Sequence, residues 1–236
     1  MDTEKQITEL VERLRQAAGE NLACVALFGS AVTREFHENF SDINIICVFR
    51  ELSGPVLAQL TPLMRWWTKQ KFPAPLLFTR TELERSADVF AIELLDMRQR
   101  HRLLHGEDLF TNLNVPMDLH RVQLEHNLRT KLLTLRQMYA EFADDDRRVR
   151  RLMLDSVSNF ATLFRHALIA MGEQPSETKQ QNIDKLAARI HFDPAVFARL
   201  LQVRTGTAKE NDLEPHTAFA QYLDGIDKVI QAVDAL

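Results

Sequence analysis

Two short polar clusters, each at one end of an apolar run, contain the residues best suited to chemistry. The pair Gly29-Ser30 follows one apolar run, and Asp42 and Asn44 stand two residues apart at the start of another. A tight Gly-Ser turn after a strand lets backbone N–H groups approach phosphate oxygens. Residues two apart on a strand share one face, so Asp42 and Asn44 can bind the same metal ions. The pattern therefore indicates phosphoryl or nucleotidyl transfer, in which metal ions neutralise a positioned triphosphate.

Taken together, the two clusters resemble the signature of the nucleotidyltransferase superfamily. That signature is hydrophobic-Gly-Ser, a spacer, and then Asp-hydrophobic-Asp/Glu-hydrophobic; in this chain eleven residues separate Ser30 from Asp42. The resemblance is strongest to the bacterial minimal-nucleotidyltransferase and aminoglycoside-nucleotidyltransferase branch, in which a small catalytic domain precedes a helical one. It implies an α+β fold, in which a small mixed sheet with flanking helices is followed by an all-α bundle.

The resemblance also implies a role for each residue of the motif. Gly29 would permit the turn, Ser30 would hold the triphosphate through its hydroxyl and N–H, and Asp42 would ligate magnesium. Arg34 lies about one helical turn past Ser30 and would reach a phosphate, unless it is a solvated surface residue. The implied cofactor is one or two magnesium ions, and the substrate is a nucleoside triphosphate such as ATP. The alternative for Gly29-Ser30 is an ordinary turn with an N-cap serine.

Position 44 departs from the family pattern, because asparagine stands where a second carboxylate is expected. An amide oxygen can ligate magnesium, so Asn44 remains a predicted metal ligand beside Asp42. It brings no negative charge, however, and the site should bind its ions more weakly. The sequence therefore leaves two functions open: transfer of a nucleoside monophosphate to an unidentified hydroxyl acceptor, or a catalytically degenerate fold that binds nucleotide or protein.

A third carboxylate is also missing from its expected place, since the predicted third strand, residues 76–79, contains no acid. The nearest acids along the chain are Glu82, Glu84, Glu93 and Asp96. Glu93 is the preferred candidate because its neighbours are apolar, and a carboxylate in an apolar run is costly without a partner. We therefore predict that Glu93 acts with Asp42 in catalysis; the alternative is an exposed position on an amphipathic helix.

The elements that must position these residues follow from the spacing of apolar residues. Residues 1–111 are predicted to form the α/β domain, and residues 112–116 a linker. Helices are predicted over 4–17, 31–36 and 55–71, strands over 22–28, 43–49, 76–79 and 103–106, and a helix or extended segment over 86–100.

The remaining residues, 117–236, are predicted to form a bundle of amphipathic helices. Its helices should cover about 117–143, 147–171, 179–190, 194–204 and 216–235. The apolar face of the last helix can either complete the bundle or pair with a second copy, which would make a homodimer. Glu125 and Asp155 are candidates for a general base in this region, although surface positions explain them as well.

Composition limits the other classes of function. The chain has 236 residues, 45% of them hydrophobic, and a formal net charge of -4, which argues against nucleic acid as a general partner. No signal peptide is recognisable at the charged N-terminus, and no apolar run is long enough for a membrane span, so a cytoplasmic location is predicted. Cys24 and Cys47 lie in apolar runs and should be reduced core residues.

Overall fold

The computed structural model of the protein describes residues 3–32 and 43–236, which divide into two compact units, Met1–Pro116 and Met117–Leu236. The described part of the first unit has four helices and four strands, with short 3-10 turns at Gly19–Asn21 and Gly29–Val32. In chain order they are α1 (Thr3–Ala18), β1 (Leu22–Phe28), β2 (Asn44–Phe49), α2 (Gly54–Lys69), β3 (Leu76–Thr79), α3 (Arg80–Arg85), α4 (Ala91–Gln99) and β4 (His101–Gly106).

The four strands form one mixed sheet in the order β3-β2-β1-β4. β1 is antiparallel to both β2 and β4, whereas β2 and β3 run parallel. Phe28, the last residue of β1, is therefore paired with Asn44 on one side and His101 on the other. The end of β1 and the beginnings of β2 and β4 meet at one end of the sheet.

Each face of the sheet has its own hydrophobic core, as strand alternation requires. Residues such as Leu27 and Ile45 pack with helices α1 and α2 on one face. Residues such as Ala26 and Ile46 pack on the other face with α3, α4 and the segment that follows β4. By the same alternation Asn44 lies on the second face, the one covered by α4.

The two cysteines belong to different faces of the sheet. Cys24 is buried in the core that includes α4, and Cys47 in the core that includes α1 and α2. Both are free thiols, as expected for reduced core residues. Burial raises the pKa of Cys24 to about 11 and the pKa of Cys47 further still, so both are protonated at neutral pH.

The second unit contains five helices: α5 (His120–Phe142), α6 (Asp146–Ala170), α7 (Lys179–Ile190), α8 (Ala195–Arg204) and α9 (Pro215–Asp234). Its core is rich in aromatic rings; Phe197 packs against Phe164 and Tyr222, with ring centroids 5.2 and 4.9 Å apart. Most apolar residues of α9 are buried, and Tyr222, Ile226 and Val229 are fully so. The last helix therefore packs into the bundle, and its pairing with a second copy stays a prediction. Within the described ranges, no helix is both long and apolar enough to cross a membrane.

The predicted fold class is confirmed: a small mixed sheet with flanking helices is followed by a helical unit. Besides small shifts at element ends, two details differ from the sequence prediction. Helix α3 was not predicted, because its six residues are too few to show helical periodicity. β4 begins at His101 rather than at residue 103. Most of the predicted helix 31–36 lies outside the described residues.

Candidate functional site

Gly29 forms the turn at the end of β1, and it does so in a conformation that favours glycine. Its φ angle is +76°, and a Cβ built on it would lie 3.1 Å from Nδ2 of Asn44. Such a contact is tight, and residues other than glycine rarely adopt that backbone conformation. The structure thus brings the predicted Gly-Ser turn and the start of β2 into direct contact.

Ser30 follows in the 3-10 turn Gly29–Val32, where it is half-buried. Its position directly after the strand end is the one that the sequence pattern requires of a phosphate-binding serine. The other two predicted ligands of the phosphate and metal, Arg34 and Asp42, lie outside the described residues.

Asn44 is the first residue of β2 and is half-buried beside Gly29. Its amide offers one oxygen, a donor type that magnesium accepts, but no charge. In residues 3–32 and 43–236, no three His, Cys, Asp or Glu side chains converge as a metal cluster. The metal-binding role of Asn44 stays a prediction.

β3 contains no acid, as predicted, and the structure explains why Glu82 does not replace it. Glu82 forms a capping box with Thr79 at the start of α3. Its carboxylate accepts hydrogen bonds from the Thr79 N–H and hydroxyl, both at 2.8 Å, and these bonds lower its pKa. Glu84, two residues on, is exposed. Glu82 is thus a helix cap rather than a third metal ligand.

Glu93 and Asp96 lie on α4, and both are half-buried. Helical periodicity places Glu93 on the side of α4 opposite to Ala91 and Leu95, which pack into the core beneath the sheet. Neither carboxylate is free, because each interacts with other residues. The catalytic role of Glu93 stays a prediction.

His101 lies at this end of the sheet and contacts Asp108 of the segment after β4, although no sequence motif marks either residue. His101 Nε2 lies 3.1 Å from Asp108 Oδ1, and His101 Nδ1 lies 2.7 Å from the Met97 carbonyl oxygen. Neither contact resembles the histidine spacing of a metal site, which is the signal that a sequence offers for this residue type. The position of His101 beside Phe28 depends on strand pairing, which the sequence did not define.

The two candidates for a general base lie in the second unit and form ion pairs. Glu125 contacts Arg129 at 2.7 Å and Arg121 at 3.2 Å, and the Arg129 hydrogen bond is the main reason that the pKa of Glu125 is lowered. Asp155 contacts Arg151 at 2.9 Å. Both acids have the contacts expected of surface helix positions.

Comparison with known proteins is informative for structure but not for sequence. No family model matches the chain, and no curated protein matches it. Among solved structures, the chain is similar to spectinomycin adenyltransferase AAD(9) from Enterococcus faecialis, whose crystal structure contains ATP and spectinomycin. The TM-score is 0.60, the match covers 98% of this chain and 99% of that one, and 16% of residues are identical. At this identity the similarity concerns the fold.

Proposed function

We propose that this protein, which has the nucleotidyltransferase fold, binds a nucleoside triphosphate with magnesium and transfers a nucleoside monophosphate to a hydroxyl acceptor. The observation that carries the proposal is the contact between Gly29 and Asn44, with Ser30 next to it. This contact joins the two parts of the motif at one end of the sheet. A turn without side-chain bulk beside a strand of metal ligands is suited to a triphosphate.

Each residue of the motif has a proposed task. The open backbone at Gly29 admits a phosphate group, and Ser30 donates hydrogen bonds to it. Asp42 and Asn44 hold magnesium, and Arg34 adds a positive charge for the phosphates. Bound magnesium would neutralise the negative charge on the phosphate oxygens.

In the proposed reaction, the hydroxyl oxygen of the acceptor forms a bond to the α-phosphorus. The bond from that phosphorus to the pyrophosphate oxygen breaks, and the hydroxyl proton passes to a base. Glu93 is the proposed carboxylate that assists Asp42. Spectinomycin is the first acceptor to test, because the structurally similar adenyltransferase was crystallised with it.

A second function, a degenerate fold that binds nucleotide without turnover, is favoured by two specific observations. Asn44 is uncharged, and β3 (Leu76–Thr79) contains no acid. A site with fewer carboxylates binds magnesium less tightly, and phosphoryl transfer depends on that charge neutralisation.

Calorimetric titration with magnesium-ATP, repeated with a chelator present, tests binding. We expect the wild type to bind magnesium-ATP and Asn44→Asp to bind magnesium on the order of tenfold more tightly, because a carboxylate adds charge to the ligand set. No binding at millimolar concentration would exclude both the enzyme and the nucleotide-binding alternative.

Release of pyrophosphate in the presence of spectinomycin and other hydroxyl-bearing aminoglycosides tests turnover. Under the enzyme proposal, Asp42→Ala abolishes release and Glu93→Gln reduces it, whereas Glu84→Gln, an exposed acid on α3, leaves it unchanged. If the wild type binds magnesium-ATP but none of these acceptors elicits turnover, the degenerate alternative is favoured.

A further inference from the structure

His101 stands at the junction of three elements in the first unit. It is the first residue of β4, and a single residue, Arg100, separates it from the end of α4 at Gln99. Within the sheet it is paired with Phe28, which is itself paired with Asn44. Cross-strand partners in an antiparallel sheet lie roughly 5 Å apart. His101 is therefore a close neighbour of the strand end that carries the Gly29 turn.

The imidazole of His101 is held by partners on both sides. Nδ1 donates to the Met97 carbonyl oxygen at 2.7 Å, and Nε2 lies 3.1 Å from Asp108 Oδ1. The ring also packs on Phe110, with centroids 5.2 Å apart, and the side chain is only 10% exposed. Both ring nitrogens thus have partners within the first unit. This geometry suits a residue that fixes other groups in place.

The hydrogen bond from His101 Nδ1 to the Met97 carbonyl oxygen caps the end of α4. The last four carbonyl groups of a helix lack partners within the helix, and the Met97 carbonyl is one of them. A histidine that donates to such a carbonyl stabilises the helix end. His101 thereby holds the last turn of the helix that carries Glu93 and Asp96.

The partner on the other side, Asp108, is itself fixed. Its Oδ1 accepts from the N–H groups of Phe110 and Thr111, at 2.9 and 3.1 Å, and its Oδ2 accepts from the Thr111 hydroxyl at 2.6 Å. These hydrogen bonds, with the Thr111 hydroxyl first, hold the pKa of Asp108 well below its usual range. The Asp108 carboxylate that faces the imidazole is thus oriented by the backbone and hydroxyl of its own loop.

We propose that His101 is a positioning residue for the nucleotide site. His101, which is paired with Phe28, joins the end of α4 to the Asp108 loop and so holds α4 in register with the strand ends that carry Gly29 and Asn44. Loss of this link lets the helix end and the Gly29 turn move, and magnesium-ATP binding weakens. This inference rests on the proposed function, since it concerns the same site.

Three variants separate the two contacts of the imidazole. His101→Asn keeps an N–H group near the place of Nδ1 and so keeps the hydrogen bond to Met97, whereas His101→Gln keeps a polar group near the place of Nε2 and so keeps the contact with Asp108. His101→Ala removes both. The matched control is His105→Ala on the same strand, because the His105 side chain takes part in no hydrogen bond with the described residues.

Two measurements are made at a temperature at which circular dichroism shows every variant to be folded. Calorimetric titration should show that His101→Ala binds magnesium-ATP on the order of tenfold more weakly, as expected for groups that orient a metal site, and that the Asn and Gln variants lie between it and the wild type. Hydrogen exchange should be faster in peptides covering 28–32 and 91–100 in His101→Ala, and unchanged in His105→Ala.

The outcomes separate failure of this inference from failure of the proposed function. If the wild type does not bind magnesium-ATP, the proposed function fails, while faster exchange at residues 28–32 still supports positioning of the turn by His101. If folded His101→Ala binds like the wild type, or exchange at residues 28–32 is unchanged, positioning by His101 is overturned.

Discussion

Two buried histidines link helices α5 and α6 in the second unit. His120 Nε2 lies 2.9 Å from His166 Nδ1, and their side chains are among the few buried polar groups, with exposed fractions of 1% and 0%. One proton shared between the rings satisfies both facing nitrogens, but a second would add a charge to a buried site where the Arg165 guanidinium already lies 3.1 Å from His166 Nε2. Burial first, and then the neighbouring His166, lowers the pKa of His120 to about 4.

We expect this pair to make stability fall in mild acid. The ordinary pKa of histidine is 6.5, so His120 becomes protonated in the unfolded chain as the pH falls below that value. In the folded chain it stays neutral until the pH reaches about 4. The free energy of unfolding should therefore decrease across this range, by an amount on the order of 2 kcal/mol. Thermal unfolding followed by circular dichroism at several pH values measures it.

His120→Gln keeps an N–H group near the place of Nε2 and removes this titration, so the loss between pH 6.5 and pH 4 should be smaller in that variant. His126→Gln, an exposed histidine on the same helix, should keep the wild-type profile. Parallel profiles for the wild type and His120→Gln would contradict the assignment.

At the level of single residues, the sequence predicted the contact partners that belong to a local motif and missed those that depend on strand pairing. Gly29 and Asn44 were predicted together, because each ends or begins an apolar run, and the structure places them in contact. His101 could not be predicted to reach Phe28, since nothing local fixes the strand beside which β4 lies. The capping role of Glu82 was missed because a glutamate at this position can serve either in a capping box or as a metal ligand.

At the level of elements, the pairing of β4 with β1 depends on a glycine. Gly106, the last residue of β4, has a φ angle of +80°, and a Cβ there would lie 2.0 Å from the Ala23 carbonyl oxygen. The next residue, Glu107, donates its N–H to the same carbonyl at 3.1 Å. The two backbones approach so closely that only glycine fits.

Gly106→Ala should therefore destabilise the first unit by at least about 2 kcal/mol, because the strands must separate as well as accept backbone strain. The matched control is Gly19→Ala in the same unit, where φ is +53° and nothing lies within 4 Å of the added Cβ. That variant should lose only about 1 kcal/mol from strain. Denaturant unfolding measures both values, and equal losses would show that the close approach to Ala23 costs nothing.

Most elements were predictable because their apolar residues repeat with one clear period. The strand β1 (Leu22–Phe28) was predicted with the bounds that the structure shows, and so was α7 (Lys179–Ile190). The segment 86–100 stayed ambiguous, because α4 is apolar on several sides and shows almost no amphipathic periodicity. The helix packs into the core on one face of the sheet, and this packing cannot be deduced from the pattern of residues 86–100 alone.

At the level of the whole molecule, each unit has a core of its own. The first buries both faces of its sheet, and the second buries an aromatic cluster that includes Phe164 and Tyr222. We therefore propose that the two units are independent domains, with the boundary close to the predicted linker 112–116. The cytoplasmic location, the exclusion of nucleic acid and the homodimer stay predictions.

Expressed separately, residues 117–236 should fold cooperatively and retain the acid sensitivity described for His120, because both histidines of the pair lie in that fragment. Residues 1–116 should fold with an intact sheet, for which the fluorescence of the buried Trp67 is a probe. Sigmoidal denaturant transitions for both fragments are the expected result. A fragment without a cooperative transition would show that its core is insufficient alone.

The placement of the two cysteines on opposite faces of the sheet gives the protein two internal reporters of its own opening. Neither thiol can react while its face is covered, since both are fully buried. Modification of Cys24 therefore registers exposure of the face beneath α4, and modification of Cys47 exposure of the face beneath α1 and α2. The relative alkylation rates of the two sites, read by mass spectrometry, would reveal which helical layer detaches first.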